Sequence, residues 1–280
     1  FILYRKYKPS KEQVNEDEWY QANGDETAVF LDNELIEGTK GRYIDGQTYL
    51  QLDWVNEAVN ERFYWDAGNS QLIYTLPDQI VYANEETMGS SGKPLVVQQD
   101  GQVWLLSSLV TAYTNVRIDT YDTDNVRRVF VDTSWEPQQL AAVKKKSALR
   151  IRGGVKSAMI TEVPSDSEVI VLEQLDNWSR VRTEDGQVGY LANRRLKETE
   201  SRTLVSTFTE PEYTSISMDG PVVLVWHQVT NRQANQAMEN LVSNTKGVNV
   251  IAPTWFMLTD NQGNYESLAD KNYVDRAHSM

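Results

Sequence analysis

The chain has 280 residues, 40 of them acidic and 27 basic, for a formal charge of −13. That length suits about two ordinary domains, and the acidic balance repels a phosphate backbone, which argues against nucleic acid as a partner. Cysteine is absent and histidine occurs only at His227 and His278, so disulfide frameworks, thiolate metal sites and histidine-rich metal sites are excluded and no cofactor is implied.

The chain opens with apolar Phe1-Ile2-Leu3-Tyr4 and turns at once to Arg5-Lys6-Tyr7-Lys8. Two readings suit this start: the trailing end of a removed membrane anchor, or a frayed polar terminus. Residues 1–24 are therefore expected to be a tail, juxtamembrane on the first reading. No stretch reaches the apolar length of a spanning helix.

Two segments then match at an offset of 55 residues: Asp45-Gly46-Gln47-Thr48-Tyr49-Leu50 and Asp100-Gly101-Gln102-Val103-Trp104-Leu105. In each, Asp-Gly signals a tight turn, a short strand and an amphipathic stretch follow, and a hairpin closes the copy. The first hairpin turns at Asp66-Ala67-Gly68-Asn69, the second at Asp122-Thr123-Asp124-Asn125. Residues 25–135 resemble in this the stalk domain named from copper amine oxidases, with its Asp-Gly-x-x-Tyr-x-x-Leu start. The segment offers no His or Cys and only Met88, so copper has no ligands here and the resemblance implies a spacer. Tyr49, Trp54, Tyr64, Trp65, Tyr74 and Trp104 suit either a sugar-stacking surface or a core, and their strand-like spacing favours the core.

Residues 136–143 read as a linker around Pro137-Gln138-Gln139, and from Lys144 to Lys156 six basic residues occur with no acid. Short strand signals follow, with Trp178, Arg180 and Arg182 alternating against Ser179 and Val181, and Asp185-Gly186 supplying a hairpin turn. The segments "Leu-Arg-Ile-Arg", "Asn-Trp-x-x-Val" and "Asp-Gly-x-x-Gly-Tyr-Leu" make residues 144–198 resemble the bacterial Src-homology-3-like (SH3-like) domain. The resemblance implies a small β-barrel that binds peptidoglycan or its stem peptides, with Trp178 and Tyr190 as groove residues. A Trp at the centre of a small barrel more often forms core or groove wall than a ligand platform. The basic run Lys144-Lys145-Lys146 suits either anionic wall polymers or, more commonly, a solvated face.

Residues 199–219, rich in Thr, Ser and Glu, read as a second linker. Beyond it, Pro221-Val222-Val223-Leu224-Val225-Trp226 is a continuous apolar run of the kind found in buried parallel strands. Ala234, Ala237, Met238, Leu241 and Val242 mark one helical stripe with Gly247 as its expected C-cap, and Val248 to Ala252 predicts a second strand. Another helix is expected from Asp270, with Tyr273, Val274 and Ala277 on its apolar side. Two βα units cannot close a barrel, so residues 220–280 are expected to be incomplete.

The segments "Val-Trp-His-Gln-Val", "Asn-Val-Ile-Ala-Pro-Thr-Trp-Phe" and "Tyr-Val-x-x-Ala-His" resemble the start of the catalytic (β/α)8 TIM barrel of glycoside hydrolase family 18, in a subgroup that also carries an upstream SH3-like domain. In that family an Asp-x-x-Asp-x-Asp-x-Glu motif supplies the acid and the substrate's own acetamido oxygen attacks the anomeric carbon. The motif does not occur in this sequence. The resemblance implies an extracellular, cell-surface-anchored parent that cleaves N-acetylglucosaminyl bonds in peptidoglycan or another such polymer, of which this chain is an inactive amino-terminal part. The alternative is a non-enzymatic wall-binding or spacer protein. Strand ends line the active face of such barrels, which selects Trp226, His227, Trp255 and Phe256 as sugar contacts. A lone His there is more often hydrogen-bonded scaffold than base, and Asp260 and Glu266 fall in the loop after the second strand. The expected fold is thus multidomain, mainly β and α+β: an α+β stalk repeat, a small SH3-like β-barrel and the truncated start of a TIM barrel.

Overall fold

Both Asp-Gly pairs form the turns their residues favour. In the computed structural model, which describes residues 8–122, 126–198, 200–214 and 218–280, Asp45 and Gly46 have φ of 50° and 83°, and Asp100 and Gly101 have 54° and 73°. Two successive left-handed residues are what a two-residue hairpin loop requires. The apolar start Phe1 to Tyr7 and the turn at Thr123-Asp124-Asn125 lie outside the described residues.

The strands Gly41–Ile44 and Gln47–Gln51 pair around the first turn, and Val96–Gln99 and Gln102–Leu106 around the second. The two hairpins then join antiparallel, with Leu50 opposite Leu105. Those leucines hold the same place in the two matching segments, so a local two-fold axis passes through the pair. Each inner strand leads into a short helix, Leu52–Ala58 or Ser107–Tyr113, and both helices lie across both strands. Tyr49, Trp54, Tyr74 and Trp104 are buried in the resulting core, whereas Tyr64 is exposed. Glu26–Leu31 completes the sheet by pairing in parallel with Arg128–Asp132, Ala28 opposite Arg128. Past the first helix, Phe63–Asp66, Gln71–Thr75 and Ile80–Ala83 form a separate three-stranded sheet.

The barrel sheet has seven strands and is wider than the sequence suggests. Gln138–Ala142, expected to be linker, pairs with Glu168–Gln174 and buries Leu140 and Ala141. Glu200–Arg202, placed in the second linker, pairs with its other edge. The expected tail is folded as well. Its backbone runs beside the strand Met159–Val163, with Val14 N donating to Met159 O at 2.9 Å and Met159 N to Glu12 O at 2.8 Å, and a short helix Glu16–Tyr20 follows. These segments lack β-branched runs, so only the edges they cover make them strands.

The described residues up to Tyr213 form one compact unit. A third core joins its halves, built from Tyr20, Phe30, Phe130 and Val188, with Phe30 stacked on Phe130 at 4.4 Å. Arg128 is fully buried and donates to Asp185 O and Gly186 O, both at 3.0 Å, gripping the barrel's Asp-Gly turn. Arg182 crosses the other way, to Asp132 at 2.9 Å and Asp119 at 3.2 Å, with its guanidinium 3.8 Å from the centre of the Phe130 ring. Gly186 is required twice: its φ is +74°, and a Cβ would lie 2.5 Å from the Tyr121 ring.

The described residues from Thr214 to Met280 form the second unit. The strands Leu224–His227 and Val250–Pro253 pair in parallel, Trp226 opposite Ala252. The intervening stripe is not one α-helix but a 3-10 helix, Arg232–Ala237, followed by a short α-helix, Met238–Ser243. The latter ends on Asn244, and Gly247, with φ +78°, acts later, turning the chain toward the second strand. The segment expected to be a loop contains an antiparallel hairpin, Phe256–Leu258 with Tyr265–Ser267. The helix Lys271–His278 begins where expected, capped by the Asp270 side chain. The fold as a whole is mainly β with few, short helices, and among the described residues no helix is long and apolar enough to cross a membrane.

Candidate functional site

Trp178 and Tyr190 sit on neighbouring strands of the barrel. In the ladder between Trp178–Thr183 and Val188–Ala192, Trp178 is opposite Ala192, Arg180 opposite Tyr190 and Arg182 opposite Val188. Alternation places all six side chains on one side of the sheet. Close packing of the strands depends on Gly189, where a Cβ would lie 2.8 Å from Arg150 O and from Leu149.

That side changes character along its length. At one end Arg182 and Val188 are buried in the third core. In the middle Arg180 is engaged, donating to Asn33 O at 2.7 Å and pairing with Glu34. The far end is open, and there Trp178 is half-buried, its ring packed on Gly153, where a Cβ would come within 3.1 Å.

The two aromatics line separate clefts rather than one groove. Tyr190 lines one of about 490 Å³ with Trp19, Leu35, Ile151 and Glu173. Trp178 lines another, of about 260 Å³, with Lys11, Lys146, Arg150, Arg194 and Arg195. Within it, Arg150 is buried and donates to Ser157 O and Ser10 O, and burial lowers its pKa. Sequence reasoning missed Lys11, Arg194 and Arg195. The Arg-Arg pair after the strand Val188–Ala192 was a legible signal, but Lys11 reaches the cleft only because residues 10–14 are bonded along the barrel. Of the basic run, Lys146 belongs to the cleft.

The four residues selected in the second unit divide into two sets. His227 is buried, its Nδ1 2.9 Å from the Tyr273 hydroxyl, and Trp255 meets the same Tyr273 ring edge-on at 5.0 Å. Burial lowers the His227 pKa and raises that of Tyr273. The Trp255 Nε1 donates at 2.7 Å to the Asn235 Oδ1, and Asn235, itself buried, donates to Leu268 O at 3.0 Å. His227, Tyr273, Trp255 and Asn235 thus form one chain of contacts. Trp226 and Phe256, 76% and 65% exposed, point elsewhere, with Phe256 against Tyr265 at 5.6 Å. Asp260 is occupied in its own turn, accepting from Gln262 N, Asn264 N and Asn264 Nδ2, and the Asn264 side chain holds its carboxyl below the usual range. Glu266 lies in a strand opposite Met257, not in a loop. Among the described residues no group of three His, Asp or Glu side chains is arranged to hold a metal ion.

Comparison with known proteins bears on one part of the chain. No curated protein and no solved structure matches it. Residues 147–197 match the family model of the bacterial SH3 domain, and the chain therefore contains an SH3-like domain of bacterial type within an otherwise mainly β fold.

Proposed function

We propose that this chain is an extracellular, surface-anchored wall-binding protein whose SH3-like barrel holds peptidoglycan-bearing wall, with Trp178 and Tyr190 as contact residues. The observation that carries the reading is the barrel itself: the side of its sheet bearing both aromatics is covered at the Arg182 end by the first half of the unit, and clefts open beside Tyr190 in the middle and Trp178 at the far end. Bacterial SH3 domains commonly bind cell-wall peptidoglycan. Aromatic faces suit the C–H surfaces of sugars and peptides. The test is co-sedimentation of the full chain with purified walls. Retention is expected, with Trp178→Ala and Tyr190→Ala each weakening it by about fivefold to tenfold, roughly 1–1.4 kcal/mol; no retention, or retention indifferent to both variants, refutes it.

A second reading concerns residues 220–280, as the first two βα units of a family 18-like glycosidase barrel, with residues 25–135 as its stalk. It is favoured by the parallel pair Leu224–His227 and Val250–Pro253 and by the apolar side chains left exposed around it. On this reading the parent cleaves N-acetylglucosaminyl bonds, while the 280 residues, without Asp-x-x-Asp-x-Asp-x-Glu, turn over no chitobiose-type substrate. Measurable hydrolysis by the purified chain would sink that expectation.

A further inference from the structure

The chain carries 40 acids against 27 bases, yet the Trp178 cleft reverses that balance. Lys11, Lys146, Arg194 and Arg195 line it, and the one acid among its lining residues, Glu162, is already paired with Lys146 at 2.5 Å. Among the described residues no carboxylate lies within ion-pair distance of Lys11, Arg194 or Arg195. Gathering like charges raises the local potential, which a bound anion lowers.

The cluster is assembled by tertiary structure, not by a flexible basic run. Its cations come from three separate stretches, each tied by backbone bonds: Ser10 N to Val155 O at 2.8 Å, Met159 N to Glu12 O at 2.8 Å and Lys144 N to Arg195 O at 2.7 Å. Trp178 gives the cleft an apolar wall fixed against Gly153. One cation would satisfy the single terminal carboxylate of a stem peptide. Several unpaired cations around an aromatic face suit instead a chain with an anion in every repeat and sugar or polyol carbons between. Duplex nucleic acid also repeats phosphates, but it would meet the acidic remainder of the surface.

We propose that the Trp178 cleft binds a wall-linked polymer whose backbone is a polyol or sugar phosphodiester. This rests on the wall-binding reading and adds to it a second wall component, leaving the Tyr190 cleft for peptidoglycan itself.

The test compares retention of the full chain on purified walls carrying polyglycerol phosphate and on the same walls stripped with hydrofluoric acid, which cleaves phosphodiesters and leaves peptidoglycan. Retention is expected to be about tenfold weaker on stripped walls. The double variant Arg194→Gln/Arg195→Gln is expected to lose as much on intact walls and nothing further on stripped ones. Lys11→Gln, on an exposed side chain, provides a second variant with the same expected direction. Raising salt from 0.1 to 1 M shortens the screening length from about 10 to about 3 Å and should release the wild type from intact walls. Equal retention on intact and stripped walls overturns the proposal while the wall-binding reading stands; absence of retention on both overturns the two together. Displacement by duplex DNA as effective as by free polyglycerol phosphate overturns it in favour of unselective polyanion binding.

Discussion

The two units treat their apolar surface in opposite ways. In the first, three cores interlock, and Trp104, Phe130, Leu50, Leu105 and Leu191 are almost wholly buried. In the second, burial is confined mainly to His227, Val229, Asn235, Met238 and Tyr273, while Val222, Leu224, Trp226, Phe256, Met257, Leu258 and Tyr265 are exposed. Both contain parallel pairing, but the parallel pair of Glu26–Leu31 and Arg128–Asp132 has antiparallel neighbours on both sides, Gly41–Ile44 and Arg117–Tyr121. The pair Leu224–His227 and Val250–Pro253 forms a two-stranded sheet on its own. Parallel strands are stable when both faces and both edges are covered. The lesson is that similar apolar strands make a core only where other elements arrive to cover them.

Four substitutions or conditions sharpen this contrast. Phe130→Ala removes a fully buried ring shared by both halves of the first unit, and is expected to cost about 4 kcal/mol, with the two halves melting together in calorimetry. Separate transitions in the wild type would break the claim that they form one cooperative body. Arg182→Ala removes one of the two guanidinium partners of the buried Asp132 carboxylate, Arg117 being the other, and should cost about 3 kcal/mol. In the second unit, Asn235→Ala leaves the Trp255 Nε1 and Leu268 carbonyl without their partner. It should cost about 2 kcal/mol, read as faster hydrogen exchange in the helix Lys271–His278 with no change in the first unit.

The smallest effect is one of pH. Burial keeps the folded-state pKa of His227 below its ordinary value of about 6.5. As pH falls below that value the unfolded chain takes up a proton that the folded unit still refuses, so the second unit loses stability on acidification and keeps it above pH 7. A pH series of the same exchange measurement should show the loss setting in as pH falls below about 6.5, and His227→Gln should flatten it.

Legibility followed how local the cause was. The Asp-Gly turns could be read because a positive φ at two successive residues is a property of those residues alone. The alternation of Trp178, Arg180 and Arg182 placed them correctly on one side of a strand, but could not tell that Arg182 is buried against Phe130 while Trp178 stays open, since that depends on residues far away in sequence. Gln138–Ala142 carried no strand signal and is a strand because it covers an edge. In the second unit the apolar stripe implied a single helix; a cap at Asn231 and a buried amide at Asn235 produced a 3-10 turn instead. The four candidate sugar contacts there were chosen from strand ends, and it took the Tyr273 ring to separate His227 and Trp255 from Trp226 and Phe256.

Arg128 has a bearing on the order in which the molecule can form. It pairs with Ala28 across one hundred residues of chain, and its side chain reaches onward to the Asp185-Gly186 turn. Contacts so distant in sequence carry the largest loop-closure entropy and form late. The hairpins about Asp45-Gly46 and Asp100-Gly101 are local and can nucleate early, but the sheet cannot close until residue 128 arrives, and the barrel has nothing to dock onto until it closes. A slow final folding phase shared by both halves, abolished as a common phase by Arg128→Ala, is the kinetic signature expected of that one side chain.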